Sequence, residues 1–200
     1  MRINVHDREL LEYIRKVYGL SQRMGIPSIE EEDGVAIASA AFAYASSGRS
    51  LEIVAVDAGA GIGYSTLWLI LGLKPFCSEA RCKVIAVESN RTYASIAEDV
   101  LVKAPRGGID IEVVRDDAVK YVNEFPDEYI DIIFVDIYKE QYVSIIDILS
   151  TKLKKGGIAM FHNAYIPRPP TTFFKKASSR PWISTIVPTS LGILMASRQE

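Results

Sequence analysis

The feature that most limits what this chain can fold into is an alternation that begins after Gly48. Strand-length apolar runs take turns with helix-length ones: LEIVAV, GYSTLWLILGL, KVIAVE, NRTYASIAEDVLVKA, IEVV, DDAVKYVNEF, DIIFVD, YKEQYVSIIDILSTKLKK and GIAMFHN. KVIAVE in particular is of the β-branched, apolar kind found in strands buried on both faces. Parallel strands need a long crossover between them, and a helix supplies it. The rhythm therefore predicts an α/β domain, a parallel sheet with helices on both faces, whose ligands bind beyond the carboxyl ends of the strands. The long helix from Tyr138 is expected to end at Gly156 and Gly157.

Two helices are predicted ahead of this core. DRELLEYIRKVY places Leu10, Leu11, Ile14, Val17 and Tyr18 on one face behind a capping Asp7. Ser28 and Glu31 have capping-box spacing before the alanine-rich AIASAAFAYASS. The apolar face of the first helix suits either a second copy of the chain, as a homodimer, or the sheet of its own subunit. Residues 164–181, with four prolines, read as a loop holding a short helix, and WISTIVP and GILMASR as two closing strands joined by a tight turn.

At 200 residues, 48% hydrophobic and 24% charged, the chain suits one soluble globular domain. Its parts are N-terminal helices (1–48), a βα core (49–163) and a loop with closing strands (164–200). A net charge of -2 offers no whole-chain attraction to nucleic acid. The charge is uneven, however, because Ala164 to Gln199 holds no acid but carries Arg168, Lys175, Lys176, Arg180 and Arg198. No segment resembles a signal peptide or approaches the ~20 apolar residues of a membrane span, so a cytoplasmic location and no membrane partner are expected. Cys77 and Cys82 lack a zinc-ligand pattern and are read as reduced thiols, with a local disulfide as the alternative.

VDAGAGIGYST follows the first core strand and opens a helix, the context in which a glycine loop approaches a ligand. Gly59, Gly61 and Gly63 keep side chains out of the turn, and the helix start offers free N–H groups. The spacing is GxGxG, and Asp57 stands just ahead, where a pyrophosphate would be repelled. A cationic ligand is favoured instead, and S-adenosylmethionine carries both an ammonium and a sulfonium. That disfavours a nicotinamide oxidoreductase. Glu88, ending the next strand, can accept hydrogen bonds from both ribose hydroxyls, or else cap the helix from Asn90. In FVDIYKEQY, Asp136 and Lys139 break an apolar strand with charges and are site candidates for that reason.

These motifs in this order resemble the small S-adenosylmethionine-dependent O-methyltransferases typified by catechol and caffeoyl-CoA O-methyltransferases. The likeness spans roughly residues 25–199, from IPSIEEEDG through DAGAGIGYST, FVDIYKEQY and LKKGGIAMFHNAY to VPTSLGILMASR. It implies a Rossmann-like class I methyltransferase fold, with a seven-stranded mostly parallel sheet and a closing antiparallel pair. By position, Gly59, Gly61 and Ser65 would surround the methionine end with Asp57 nearby and Tyr64 beside Ser65, Glu88 would take the ribose, and Asp117 and Ala118 would frame the adenine. The residues alone make Asp116 a helix cap and Asp117 a first-turn acid.

The resemblance also implies a divalent cation, magnesium or manganese, held at Asp136, His162 and Asn163. His162 stands where the family usually has Asp. That change either turns the site toward a transition metal or ends metal binding. Lys139 would serve the acceptor hydroxyl as general base or charge stabiliser, and Tyr138 would stack on a substrate ring or pack. The implied acceptor is a small hydroxylated, aromatic molecule. RNA and a CoA ester are alternatives suggested by the basic stretch from Arg168 to Trp182, and a nucleotide-binding module without catalysis is a third.

Overall fold

In the computed structural model, which describes residues 7–48, 50–77 and 80–199, the alternation after Gly48 becomes one mixed sheet. Helix α1 (Arg8–Met24) and α2 (Glu31–Ser46) lead into β1 (Glu52–Ala58), α3 (Tyr64–Leu73), β2 (Arg81–Val87), α4 (Arg91–Val102) and β3 (Asp110–Val114). The chain continues through α5 (Ala118–Asn123), β4 (Ile130–Val135), α6 (Tyr142–Lys152), β5 (Leu153–Phe161), α7 (Thr171–Ala177), β6 (Trp182–Val187) and β7 (Ile193–Arg198). Among the described residues the strand order is β3-β2-β1-β4-β5-β7-β6, with β1 to β5 parallel and β7 antiparallel to both neighbours.

The order reverses between β1 and β4. The chain moves outward through β2 and β3, then returns to pair β4 with β1. Crossovers on either side of such a point leave a crevice at the carboxyl ends. Two apolar layers hold the sheet. One is formed by α1 to α4 against residues such as Ile53, Ala55, Val84 and Phe134. The other is formed by α5 to α7 against Val56, Ile85, Ile133 and Val135. Alternate residues of β1 thus serve opposite layers, as the two-residue pleat requires. Leu10, Ile14 and Val17 of α1 are buried in the first layer, so the apolar face covers its own subunit.

Several boundaries differ from expectation. Asp7 does cap α1, accepting from the Leu10 N–H at 3.0 Å. The box before α2 lies two residues later than Ser28 and Glu31. Asp33 accepts from the Glu30 N–H at 3.1 Å, and both pairs have the same spacing of three. Helix α6 stops at Lys152 rather than at the glycines, because Leu153 is drawn into the sheet opposite Ile130. The register then shifts, and Ile158 pairs with Ile132. Cys77 and Cys82 form a disulfide instead of remaining reduced. The 3-10 turn at Lys74–Phe76 brings the chain back to β2 with the two Cα atoms 5.5 Å apart, within bridging range. No helix among the described residues is long and apolar enough to cross a membrane.

Candidate active site

The candidate residues follow the ends of consecutive parallel strands, and backbone bonds that outlast the strands fix them there. Gly59 N–H donates to Val87 O at 2.9 Å, Glu88 N–H to Val114 O at 2.9 Å, Asp136 N–H to Ala58 O at 2.8 Å and His162 N–H to Val135 O at 3.0 Å. Asp57, Glu88, Asp117, Asp136 and His162 are therefore brought to one edge, as their positions in sequence predict.

Gly59 joins the two halves of this edge. Its φ is 92°, and a Cβ there would stand 2.2 Å from the Asp136 carbonyl oxygen, so the loop after β1 can lie against the end of β4 only with glycine. Gly61 differs, since a Cβ built on it meets nothing within 4 Å and would project into open space. Its N–H donates to Glu88 Oε2 at 2.8 Å, and the Asn90 N–H donates to Oε1 at 2.7 Å. Glu88 thus ties the glycine loop to the N-cap of α4, and is 8% exposed.

Asp57 lies beneath the loop with no exposed surface. Its Oδ2 accepts from Ser65 Oγ at 2.7 Å and Thr66 Oγ1 at 2.5 Å, whereas Oδ1 is buried without a partner among the described residues. Burial pushes this carboxyl up to about 7. The two hydroxyls oppose that rise, and the charges of Asp136 and Glu88 add to it. The Tyr64 ring packs on Tyr18 and edge-on to Trp68, beside a cavity of about 180 Å³ between α1 and α3. Burial pushes its hydroxyl up to about 12.

After β3, Asp117 rather than Asp116 is the N-cap of α5, accepting from the Lys120 N–H at 2.9 Å. Asp116 instead accepts from the Asp117 N–H at 2.8 Å, one residue too early to reach the helix. Gln141 Nε2 donates to the other Asp117 oxygen at 3.1 Å, linking the ends of β3 and β4. Ala118 is buried at the start of α5.

At the end of β4 the charges are concentrated. Asp136 Oδ1 accepts from Lys139 Nζ at 2.8 Å, and Oδ2 faces His162 Nδ1 at 3.1 Å. The other ring nitrogen, Nε2, faces Asp33 Oδ2 at 3.1 Å. Lys139 Nζ also donates to Ile137 O at 3.2 Å and to the Tyr142 hydroxyl at 2.9 Å. That hydroxyl, fully buried, lies 2.9 Å from Val135 O and 3.0 Å from His162 O. Burial opposes ionisation of each acid and of the ring, but their mutual bonds prevail. Asp136 and Asp33 are held below the usual carboxylate range, and His162 is raised to about 9.

The expected ligands do not present themselves to a divalent cation. Both His162 nitrogens and both Asp136 oxygens already have partners, and Asn163, whose amide N–H donates to Ile166 O at 2.7 Å, keeps only Oδ1 for an ion. Among the described residues no group of three His, Cys, Asp or Glu has the arrangement of a metal site. Sequence reasoning missed Asp33, Thr66 and Tyr142. Asp33 is one of four consecutive acids, and Tyr142 has the phase of a core residue.

The basic stretch also takes shape here. Phe173 and Trp182 are buried, Arg168 covers the Phe174 ring at 5.1 Å, and Lys176 pairs with Asp147 at 2.7 Å. Its aromatics pack inward instead of offering a stacking platform. Tyr138 is the opposite case, 80% exposed beside Lys139.

The mostly parallel seven-stranded sheet, with its switch point between β1 and β4 and its antiparallel closing pair, has the architecture of the Rossmann-like methyltransferase fold. The family model described as O-methyltransferase matches residues 45–167, more than half of the chain, and the chain belongs to that family. Solved structures agree on the fold. A methyltransferase from Geobacter sulfurreducens superposes with a TM-score of 0.74 at 18% identity, over 98% of this chain and 90% of that one. An O-methyltransferase from Bacillus cereus in complex with SAH gives 0.73 at 17%, over 94% and 91%. TomG from Streptomyces achromogenes, an O-methyltransferase involved in tomaymycin synthesis, in complex with SAM, gives 0.71 at 18%, over 99% and 93%. No curated protein sequence matches.

Proposed function

We propose that the chain transfers a methyl group from S-adenosylmethionine to a hydroxyl of a small aromatic acceptor. The observation that carries this reading is the contact across Gly59. It sets the Asp57–Ser65–Glu88 group, suited to a nucleoside with a cationic tail, against the Asp136–Lys139 pair, suited to a hydroxyl. The fit to the cofactor rests on the unpartnered Asp57 Oδ1 and on the open space that Gly61 faces. Glu88 would hold the ribose, Asp117 and Ala118 the adenine, and the start of α3 at Tyr64 and Ser65 the methionine end.

When bound, S-adenosylmethionine supplies a methyl on a positively charged sulfur, which leaves as a neutral thioether when the acceptor oxygen bonds to the carbon. The chain's own residues need only orient the oxygen, stabilise its charge and keep water away. Lys139 suits the second task. Its three hydrogens already point at Asp136, Ile137 and Tyr142, so it acts as a fixed cation rather than as a base. An ammonium beside the acceptor lowers the hydroxyl pKa, and the proton is released to water before attack. Exposed Tyr138 offers a face on which an aromatic acceptor can stack. Inward packing of Phe173 and Trp182 weighs against RNA.

The test is Lys139→Ala, assayed by labelled methyl transfer to a panel of catechols and phenols and by calorimetric binding of S-adenosylmethionine. Turnover should fall by at least about 100-fold, with cofactor affinity kept within about threefold. Equal loss of both would make the lysine a structural residue.

A further inference from the structure

We infer that the acceptor end of this site works without a divalent cation, because His162 and Lys139 fill the place that the family resemblance gives to one. The inference rests on the proposed function for its meaning but on side-chain geometry for its support. Asp136, the acid best placed to hold an ion, has one oxygen 2.8 Å from Lys139 Nζ and the other 3.1 Å from His162 Nδ1. Each oxygen of this carboxylate already faces a nitrogen, so an ion would have to displace one of them or share an oxygen with it.

His162 is no freer. Its ring spans two acids that lie far apart in sequence, with Nδ1 on Asp136 and Nε2 on Asp33, both at 3.1 Å. Metal coordination needs a lone pair on one of these nitrogens, which would have to turn away from the carboxylate it faces. Turning from Asp33 would take the imidazole from an acid with no exposed surface and leave it only neutral donors, the Glu30 N–H and Thr189. The third expected ligand, Asn163, donates its amide N–H to Ile166 O at 2.7 Å, which leaves only Oδ1 to face an ion, and one carbonyl oxygen does not make a site.

Lys139 is locked in the same way, by Asp136, Ile137 O and the buried Tyr142 hydroxyl. The arrangement is an ammonium at the acceptor with an imidazole ring bridging two acids beneath it. His162 and Tyr142 are positioning residues in this scheme. They fix Asp136 and Nζ, while Lys139 alone faces the acceptor. His162 is thus more than a substitution of one ligand for another, since its ring occupies the space between the two acids.

The test measures Mn²⁺ binding to the full-length protein at neutral pH, from the paramagnetic resonance signal of free Mn²⁺. Alongside it, S-adenosylhomocysteine is titrated calorimetrically with EDTA and with Mg²⁺. The wild type should show no Mn²⁺ site tighter than millimolar, and its S-adenosylhomocysteine affinity should agree within about twofold between EDTA and Mg²⁺. His162→Asp, which restores the family's oxygen ligand, should bind Mn²⁺ at least about tenfold more tightly than the wild type. D33N/H162D removes the buried acid that His162 would leave unpaired, and provides the same measurement if H162D does not fold.

Micromolar Mn²⁺ binding by the wild type would overturn the inference. So would folded H162D and D33N/H162D that both fail to gain Mn²⁺, since His162 would then not be what displaces the ion. A wild type that binds no S-adenosylhomocysteine under either condition would sink the proposed function. The Mn²⁺ measurement needs no cofactor and would still decide the present point.

Discussion

Asp57 and Asp136 stand at the ends of neighbouring strands, β1 and β4, and burial pushes both carboxyls in the same direction, toward the neutral form. They end on opposite sides of the ordinary value. Asp57, held by the hydroxyls of Ser65 and Thr66, rises to about 7. Asp136, held between Lys139 and His162, falls. The partner's charge, and not the depth of burial, decides the sign. One end of the crevice therefore holds an acid drawn toward its neutral form. The other keeps a permanent anion that fixes an ammonium in place. Each acid also sits in the other's field, since the Asp136 charge contributes to the rise of Asp57.

The strongest way to break this contrast is His162→Ala. It takes one charged partner from Asp136 and, among the described residues, the one charged group bonded to Asp33, an acid with no exposed surface. Leaving a buried charge uncompensated costs about 3–5 kcal/mol, so urea unfolding at neutral pH should show a loss of that order. The pH dependence carries its own sign. His162 is raised from 6.5 to about 9, so its contribution is complete below 6.5 and disappears as pH rises through 9. Wild-type stability should fall across that interval, and the variant's should not. A loss below 1 kcal/mol with the alkaline slope intact would mean that the ring is a spectator.

Much of this was legible before any coordinates. Glu88, Asp117, Asp136 and His162 each follow an apolar run, and a parallel sheet aligns such run-ends along one edge, so the crevice could be read from position alone. The partner of His162 could not. Asp33 is 129 residues away, in a stretch of four acids that reads as a helix start. Capping is indeed one of its tasks, through the Glu30 N–H. Only packing α2 against the sheet reveals the second. The run Leu153–Lys155 failed for a related reason. Its residues suit a helix turn, and the competing bond is the pairing of Leu153 with Ile130 on another strand, a tertiary effect outweighing local propensity. The cysteines were misjudged because spacing excludes zinc but does not reveal whether two Cα atoms approach.

A smaller effect, of opposite sense, is expected at the other acid. Asp57 binds a proton in the folded state between its ordinary 3.8 and about 7, an interval in which the unfolded chain has lost it. Stability therefore falls as pH rises through that window. Asp57→Asn removes the titration while leaving acceptors for Ser65 and Thr66. It should flatten the acid-side slope and stabilise the protein at pH 8 by roughly 1–3 kcal/mol, in chemical denaturation curves taken at several pH values. The alkaline slope from His162 should remain. A variant that is less stable at pH 8 would mean that the Asp57 carboxylate has a partner strong enough to keep it ionised, and the contrast with Asp136 would vanish.

The smallest effect sharpens the comparison by removing burial from it. Lys176 and Asp147 lie 2.7 Å apart, as close as Lys139 and Asp136, but their side chains are 42% and 55% exposed. Water screens such a pair and the entropy of holding two long side chains offsets most of the attraction. Lys176→Ala should shift the melting temperature by no more than about 2 °C, and the shift should vanish in high salt. A drop as large as that of His162→Ala would show that the charges of this protein stabilise it wherever they stand, and the role given to the sheltered acids at the strand ends would lose its physical basis.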